Sequence, residues 1–298
     1  MSLLPHHNRY TYSPLVERPV YSWPGGKRLA IYVCIAAEHF AYGAGGGEDY
    51  AAVNVPADDR NYAWRDYGQR IGLWRLLELV DELGLPATFA MNSSLFDMQP
   101  RIAERLVKRG DEIVAHGRTS SESLAGLWAA DEAAAVEQVT RIIKEKSGAR
   151  PMGWSSPAFV ESGDTIDILA RAGYQYVLDW PADDQPFWIE ASNGRILSIP
   201  FPLEMNDTTV MTHRHQTARQ FAELIVSQFE EMIEECGKRP LVMPIALHPY
   251  IAGQPFRVHA LRKALQHCLE SRFQDRIWLT RSGEIARHCL ALPGGTVP

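Results

Sequence analysis

Cysteine is scarce in this chain, and no two cysteines share a C-x-x-C spacing. Cys34, Cys236, Cys268 and Cys289 are the only four in 298 residues. Thiols scattered in this way argue for a reducing compartment rather than a disulfide framework. No apolar run reaches the roughly 18 residues that a transmembrane helix needs, so no membrane span is expected. The first residues, Met1-Ser2-Leu3-Leu4-Pro5-His6-His7-Asn8, carry neither a basic stretch nor an apolar core. A secretory signal is therefore not expected, and the expected location is cytoplasmic. Positive charge is in deficit: 30 Lys and Arg stand against 36 Asp and Glu, a net charge of −6. That balance lacks the basic stripe a nucleic-acid partner requires. Also missing are G-x-G-x-x-G, Walker and G-x-S-x-G motifs, which removes the best sequence support for nucleotide binding and for α/β-hydrolase chemistry. There is no internal repeat and no low-complexity tract.

What is present is a folded α/β pattern. Hydrophobic residues make up 46% of the chain, enough for a substantial core. Residues 1–26, rich in Pro, Tyr, His and Arg, read as an extended arm on the surface, closed by Trp23-Pro24-Gly25-Gly26. Residues 27–298 read as one domain. Residues 41–60 form a glycine-rich irregular segment; loops of this length are usually functional or disordered. Apolar runs of strand length fall at 29–34, 87–91, 112–115, 174–178, 196–201, 241–247 and 276–279. Helical periodicity falls between them, at 67–83, 100–109, 131–147, 165–172, 217–235, 258–269 and 282–290. Gly84, Gly110, Gly148, Gly173 and Gly237 stand where helices should stop. This β-α-β-α order predicts a mainly parallel sheet, open or closed into a barrel.

Strand ends are where barrel enzymes place their chemistry. Three polar residues follow apolar runs: Glu38 after 29–34, His116 after 112–115 and His248 after 241–247. Taken alone, Glu38 reads as a solvated loop carboxylate beside a satisfied His39. His116 alone reads as a packing or capping histidine. A His-x-x-x-His pair would point to metal, but position 120 is Ser. His248 is placed as a general acid or base, because imidazole titrates near neutral pH. Convergence of all three shifts the reading towards a site. Further polar clusters are Trp154-Ser155-Ser156-Pro157, Asp179 to Pro186 and Glu204-Met205-Asn206-Asp207. For Asp183, Gln185 and Pro157 turn chemistry is the better reading; Asp184 and Asn206 stand evenly between turn and site. Arg65 and Arg70 sit before or inside the first long helix; Tyr67, Gly68 and Arg70 are candidates to face a cleft, with a solvated helix start as the default reading. His213 and His215 read as an exposed loop.

Several stretches together resemble the polysaccharide deacetylase superfamily. They are Tyr67-Gly68-Gln69-Arg70-Ile71-Gly72-Leu73-Trp74-Arg75, Ala115-His116-Gly117, Arg150-Pro151-Met152-Gly153-Trp154, Asp183-Asp184-Gln185-Pro186-Phe187, Ile199-Pro200-Phe201, Glu204 to Asp207 and Ala246-Leu247-His248-Pro249. The chain is most similar to the branch holding metal-independent allantoinases and cyclic imide hydrolases. The resemblance implies a distorted, incomplete (β/α) barrel with its site at the C-terminal strand ends. The metal-dependent deacetylases of the family carry Asp-Asp after the first strand, a base followed by a metal ligand. Here Ala37-Glu38 stands there, and only one histidine of the second metal motif, His116, is kept.

The implied activity is hydrolysis of a small cyclic amide, imide or ureide. Glu38 would orient or deprotonate water, His248 would protonate the leaving nitrogen, and His116 would bind the carbonyl or hold Glu38. Trp154, Trp180, Asp184 and Asn206 would line the substrate pocket, with Arg70, Asn206 or backbone N–H groups facing the oxyanion. No cofactor is required in this reading. Its alternatives are a carbohydrate N-deacetylase with Zn2+ or another divalent ion on Glu38 and His116, and a non-catalytic barrel that binds a small ligand. A small polar substrate and a homo-oligomeric state are the expected partners.

Overall fold

The computed structural model describes residues 7–46 and 59–298, so positions 47–58 of the segment expected to be irregular lie outside it. Among the described residues nine strands form one sheet: β1 (Leu29–Ala37), β2 (Ala87–Met91), β3 (Glu112–Ala115), β4 (Gly153–Trp154), β5 (Tyr176–Val177), β6 (Phe187–Ala191), β7 (Gly194–Ser198), β8 (Leu241–Leu247) and β9 (Ile277–Leu279). Their order is β6-β7-β5-β4-β3-β2-β1-β8, with β9 beside β1. Every pairing is parallel except the β6–β7 hairpin.

All nine residues of β1 are buried, as expected of a strand covered on both faces of a parallel sheet. Its register with β8 runs from Leu29↔Leu241 to Ile35↔Leu247. β9 pairs with Leu29–Ile31, and β2 takes over from Val33 to Ala37. Helices pack outside. The helix Ala218–Glu235 opens with a capping box between Thr217 and Gln220, and the helix Ala129–Ser147 closes on left-handed Gly148. The sheet is thus a curled partial barrel in an α/β domain. The four cysteines are buried and unbridged. No helix among the described residues is long and apolar enough to cross a membrane.

The end of the expected surface arm reaches the core. Trp23 is buried, and its indole N–H donates to the Leu241 carbonyl at 3.0 Å. Large aromatic area explains the difference, since Tyr21 and Trp23 gain more by burial than by lying on the surface. The hairpin strand β6 was not expected from the pattern; the strand expected at 196–201 is its partner, β7.

The two ends of the sheet differ in purpose. At the start of β3 the buried Glu112 carboxylate accepts from Tyr176 Oη (2.9 Å), Ser282 Oγ (3.2 Å) and Gly283 N (2.5 Å). These bonds tie the last helix, Ser282–Ala291, to the sheet. The C-terminal strand ends carry the candidate site.

One helix was expected over 67–83. Instead Asp59–Tyr67 and Leu73–Glu82 are joined by a π-helical turn, Gly68–Gly72. Such turns concentrate at functional sites. Here the cause is close approach: a Cβ on Gly68 would lie 2.8 Å from Tyr250 N, and one on Gly72 would overlap the Pro249 carbonyl. Gly72→Ala is expected to destabilise the protein by about 1–3 kcal/mol through overpacking. Gly163→Ala, where a Cβ meets nothing within 4 Å, is expected to be neutral or stabilising by a few tenths up to about 1 kcal/mol. Urea midpoints at unchanged m-values test the contrast.

Candidate active site

Asn92, one residue past β2, joins the strand ends. It is fully buried. Its Oδ1 accepts from His39 N at 2.8 Å and from Ser120 Oγ at 3.0 Å, and its Nδ2 donates to the His116 carbonyl. The ends of β1 and β3 are therefore held on either side of β2, with Glu38 facing His116. His39 is satisfied, with Nδ1 2.9 Å from Ser94 Oγ.

Glu38 Oε1 lies 3.7 Å from His116 Nε2, and both side chains are largely buried. That separation is an ion-pair distance, too long for a hydrogen bond. His116 Nδ1 sits 2.8 Å from the Ser155 carbonyl. A carbonyl only accepts, so Nδ1 carries a proton and Nε2 faces Glu38. Burial alone would push the Glu38 carboxyl up. The adjacent His116 imidazole and the charge of His248 outweigh it, and the carboxyl is held below its usual range. Glu38 Oε2 is buried and accepts no hydrogen bond.

His248 follows β8 and is held by a carboxylate. Its Nδ1 is 2.7 Å from Asp207 Oδ1, and its backbone N–H donates to Asp207 Oδ2 at 2.8 Å. Asp207 is completely buried. Nδ1–H thus points at a fixed acceptor, which makes Nε2 the ring nitrogen able to exchange a proton with a substrate. Asp207 was quoted in the sequence cluster at 204–207 but not singled out. The signal for it was a carboxylate in an apolar context, which needs a cationic or N–H partner.

Asn206, its neighbour, is buried and spends its side-chain oxygen on Thr208 N at 3.0 Å. Its backbone bridges Ala246, so its first task is to dock this segment on β8. The arginine near the site is Arg65, not Arg70. Arg65 is buried with its guanidinium 5.3 Å from the Phe40 ring centroid. Arg70 points outward, 75% exposed, 3.7 Å from Asp66. The π-turn rotates the helix face between the two positions.

Trp154 is fully buried, donating to Ser156 Oγ at 2.9 Å and meeting Tyr174 edge-on. It braces the Ser155–Ser156 turn behind His116 instead of facing a substrate. Trp180 follows β5 but turns towards the N-terminal residues, edge-on to Tyr10 at 5.9 Å, and donates to Glu161 Oε2 at 3.1 Å. Asp184 is exposed, and its carbonyl accepts from Val242 N at 2.9 Å. That contact puts it at the start of β8, the opposite end of the strand from His248. The chain crosses β8 there because Gln185 is anchored on the Pro240 carbonyl at 2.6 Å.

Gln69 and Asp179 were missed. Gln69, in the π-turn, donates from Nε2 to the Glu38 carbonyl at 2.5 Å. Asp179 takes the Ser156 N–H on both oxygens, at 2.8 and 2.9 Å. It forms a buried pair with Glu161. Burial and mutual repulsion push the Glu161 carboxyl above the usual range, and burial does the same to Asp179. The pair therefore shares a proton at neutral pH.

Comparisons agree on the relatives of this arrangement. The polysaccharide deacetylase family model matches residues 62–177. The crystal structure of Puue allantoinase superposes with a TM-score of 0.80 at 25% identity, covering 90% of this chain and 92% of that one. A probable polysaccharide deacetylase from Pseudomonas aeruginosa PAO1 superposes with a TM-score of 0.78 at 27% identity, covering 89% and 92%. A Schizosaccharomyces pombe protein with a polysaccharide deacetylase name is 23% identical over 284 residues, 88% of this chain and 86% of that protein. The chain is similar to the polysaccharide deacetylase family, in sequence over residues 62–177 and in fold over nearly its whole length. The expected distorted barrel is the fold of these relatives.

The metal that this family implies asks for three protein donors. Among the described residues no group of three His, Cys, Asp or Glu side chains gathers as a ligand set. Glu38 and His116 supply two donors, and Ser120, at the third position, gives its hydroxyl to Asn92. This donor set does not fit a resident zinc, and no step below passes through one.

The Glu161–Asp179 pair sets a pH dependence. A carboxyl whose folded pKa is raised contributes stability that is present below its ordinary value, 4.5 for Glu161, and is lost as pH rises through the folded value. Wild-type stability is therefore expected to fall from acid through neutral to mildly alkaline pH more steeply than that of Glu161→Gln, which cannot ionise. Urea unfolding of both proteins across that range checks it; parallel curves would remove the shared proton.

Proposed function

We propose that this chain is a hydrolase that opens a C–N bond of a small cyclic amide, imide or ureide. The observation that carries the reading is the Asp207–His248 pair opposite Glu38 at the strand ends, in a site with two metal-type donors instead of three. Similarity to an allantoinase structure supports the same substrate class.

Glu38, ionised at neutral pH, takes a proton from water as the water oxygen bonds to the carbonyl carbon. The carbonyl π electrons move to oxygen. The oxyanion pair then re-forms the C=O bond as the C–N pair goes to nitrogen, and the leaving nitrogen takes a proton from His248 Nε2, whose imidazolium Asp207 had stabilised through Nδ1–H. The products are a carboxylic acid and an amine or urea nitrogen in one opened molecule. His116 Nε2 faces Glu38 Oε1 at 3.7 Å, and Arg65 brings a guanidinium to the pocket beside Glu38.

The test is a panel of hydantoin, allantoin, succinimide and N-acetylated chitooligosaccharide, each with chelator and with added zinc. Turnover of a cyclic substrate in chelator is expected. His248→Ala is expected to lower kcat roughly 10²–10⁴-fold with the fold intact. Asp207→Asn should also reduce kcat, because an amide does not stabilise the imidazolium. Turnover confined to the acetylated sugar with zinc would replace this reading with a deacetylase.

A further inference from the structure

The pocket beside Glu38 contains two hydrogen-bond acceptors that nothing satisfies. One is Glu38 Oε2 and the other is Gln69 Oε1; both are buried and without a hydrogen-bond partner. Gln69 is only 8% exposed. Its amide orientation is fixed by chemistry: Nε2 faces the Glu38 carbonyl at 2.5 Å, and two oxygens would not share that contact. Oε1 is therefore the atom presented elsewhere. Both side chains line one small pocket together with Phe40, Arg65, Leu73, Pro249 and Tyr250. Its volume is about 10 Å³, the room of a single water.

We propose that Gln69 Oε1 and Glu38 Oε2 together hold the attacking water. The proposal rests on the hydrolase reading above and adds a residue to it. An acceptor buried without a donor is costly. Two such acceptors in a water-sized pocket call for a donor with two hydrogens. Water gives one O–H to each oxygen, and its lone pairs are left for the carbonyl carbon. On attack, the O–H on Glu38 transfers its proton to Oε2 as the new C–O bond forms. The O–H on Gln69 stays bonded and fixes the direction of approach. An amide suits this place because, unlike a second carboxylate, it adds no charge that would compete for the proton. The π-turn explains why the residue reaches the pocket: Gly68 and Gly72 let it sit directly against Tyr250 and Pro249.

The test has two arms. A high-resolution crystal structure of the wild-type protein, in chelator and after a zinc chloride soak, is expected to show one water within about 3.2 Å of both oxygens. In Gln69→Met, which keeps length but removes both the acceptor and the Nε2 donor to the Glu38 carbonyl, that water should be lost while the Glu38 carboxylate keeps its place in the same crystal structure; a displaced Glu38 would make the residue structural and overturn the proposal. On a cyclic substrate the variant's kcat should fall about 10²-fold, as for a misplaced reactant, with KM little changed. An empty position in the wild type, a zinc peak bonded to both oxygens, or full kcat in the variant would each overturn the proposal. Wild-type inertness on the whole panel would sink the hydrolase reading and the attacking role, while the crystal structure alone would still decide the water site.

Discussion

The site depends first on one buried amide. Asn92 accepts the His39 N–H and donates to the His116 carbonyl, so it spans the two strands on either side of its own. Parallel strands end in unpaired backbone groups, and a site built there must satisfy them without filling the cleft. One side chain does this for both neighbours and also takes the Ser120 hydroxyl. It reinforces backbone bonds at the same place, from Asn92 N to the Ala37 carbonyl, His116 N to the Met91 carbonyl and Ser120 N to the His39 carbonyl. Its effect is positional: it touches no reacting group, yet it fixes two that do.

The second constraint is electrostatic. Glu38, Asp207, Asp179 and Glu161 are all carboxyl groups taken largely out of water. Each has a different remedy. Asp207 gains a backbone N–H and an imidazole N–H. Glu38 gains two nearby histidines. Asp179 gains the Ser156 N–H, and Glu161 is left to keep a proton. The Ser155–Ser156 turn links these remedies, because it serves Asp179 through Ser156 N and His116 through the Ser155 carbonyl. His116 therefore stands between an ionised carboxylate and a pair that shares a proton.

The strand ends were legible in the sequence because an apolar run followed by a lone polar residue has one meaning in a parallel barrel. Glu38, His116 and His248 came from that rule. Asn92 follows the same kind of run, but an asparagine after a strand is ordinary turn chemistry, and its two-sided bonding exists only once β1 and β3 flank it. The choice of Arg70 over Arg65 failed for a different reason. A regular helical period assigns faces at 100° per residue, and the π-turn at Gly68–Gly72 breaks that count. No local pattern marks such a turn; it is imposed by Pro249 and Tyr250, which are far away in sequence. Asp184 failed because polar residues between strands can face either end of the sheet, and only its contact with Val242 decides which.

The low proton affinity of Glu38 carries a consequence for the proposed chemistry. A general base is most effective when its pKa is near the working pH. A carboxylate held below its usual range is fully ionised at neutral pH but accepts a proton reluctantly. His116 and His248 thus keep Glu38 available and weaken it at the same time. The deficit has to be met elsewhere in the same step. Fixing the water against Glu38 and Gln69 lowers the cost of approach. The proton that Glu38 captures as the water attacks removes a negative charge from beside His248, which eases release of the His248 proton to the leaving nitrogen in the following step.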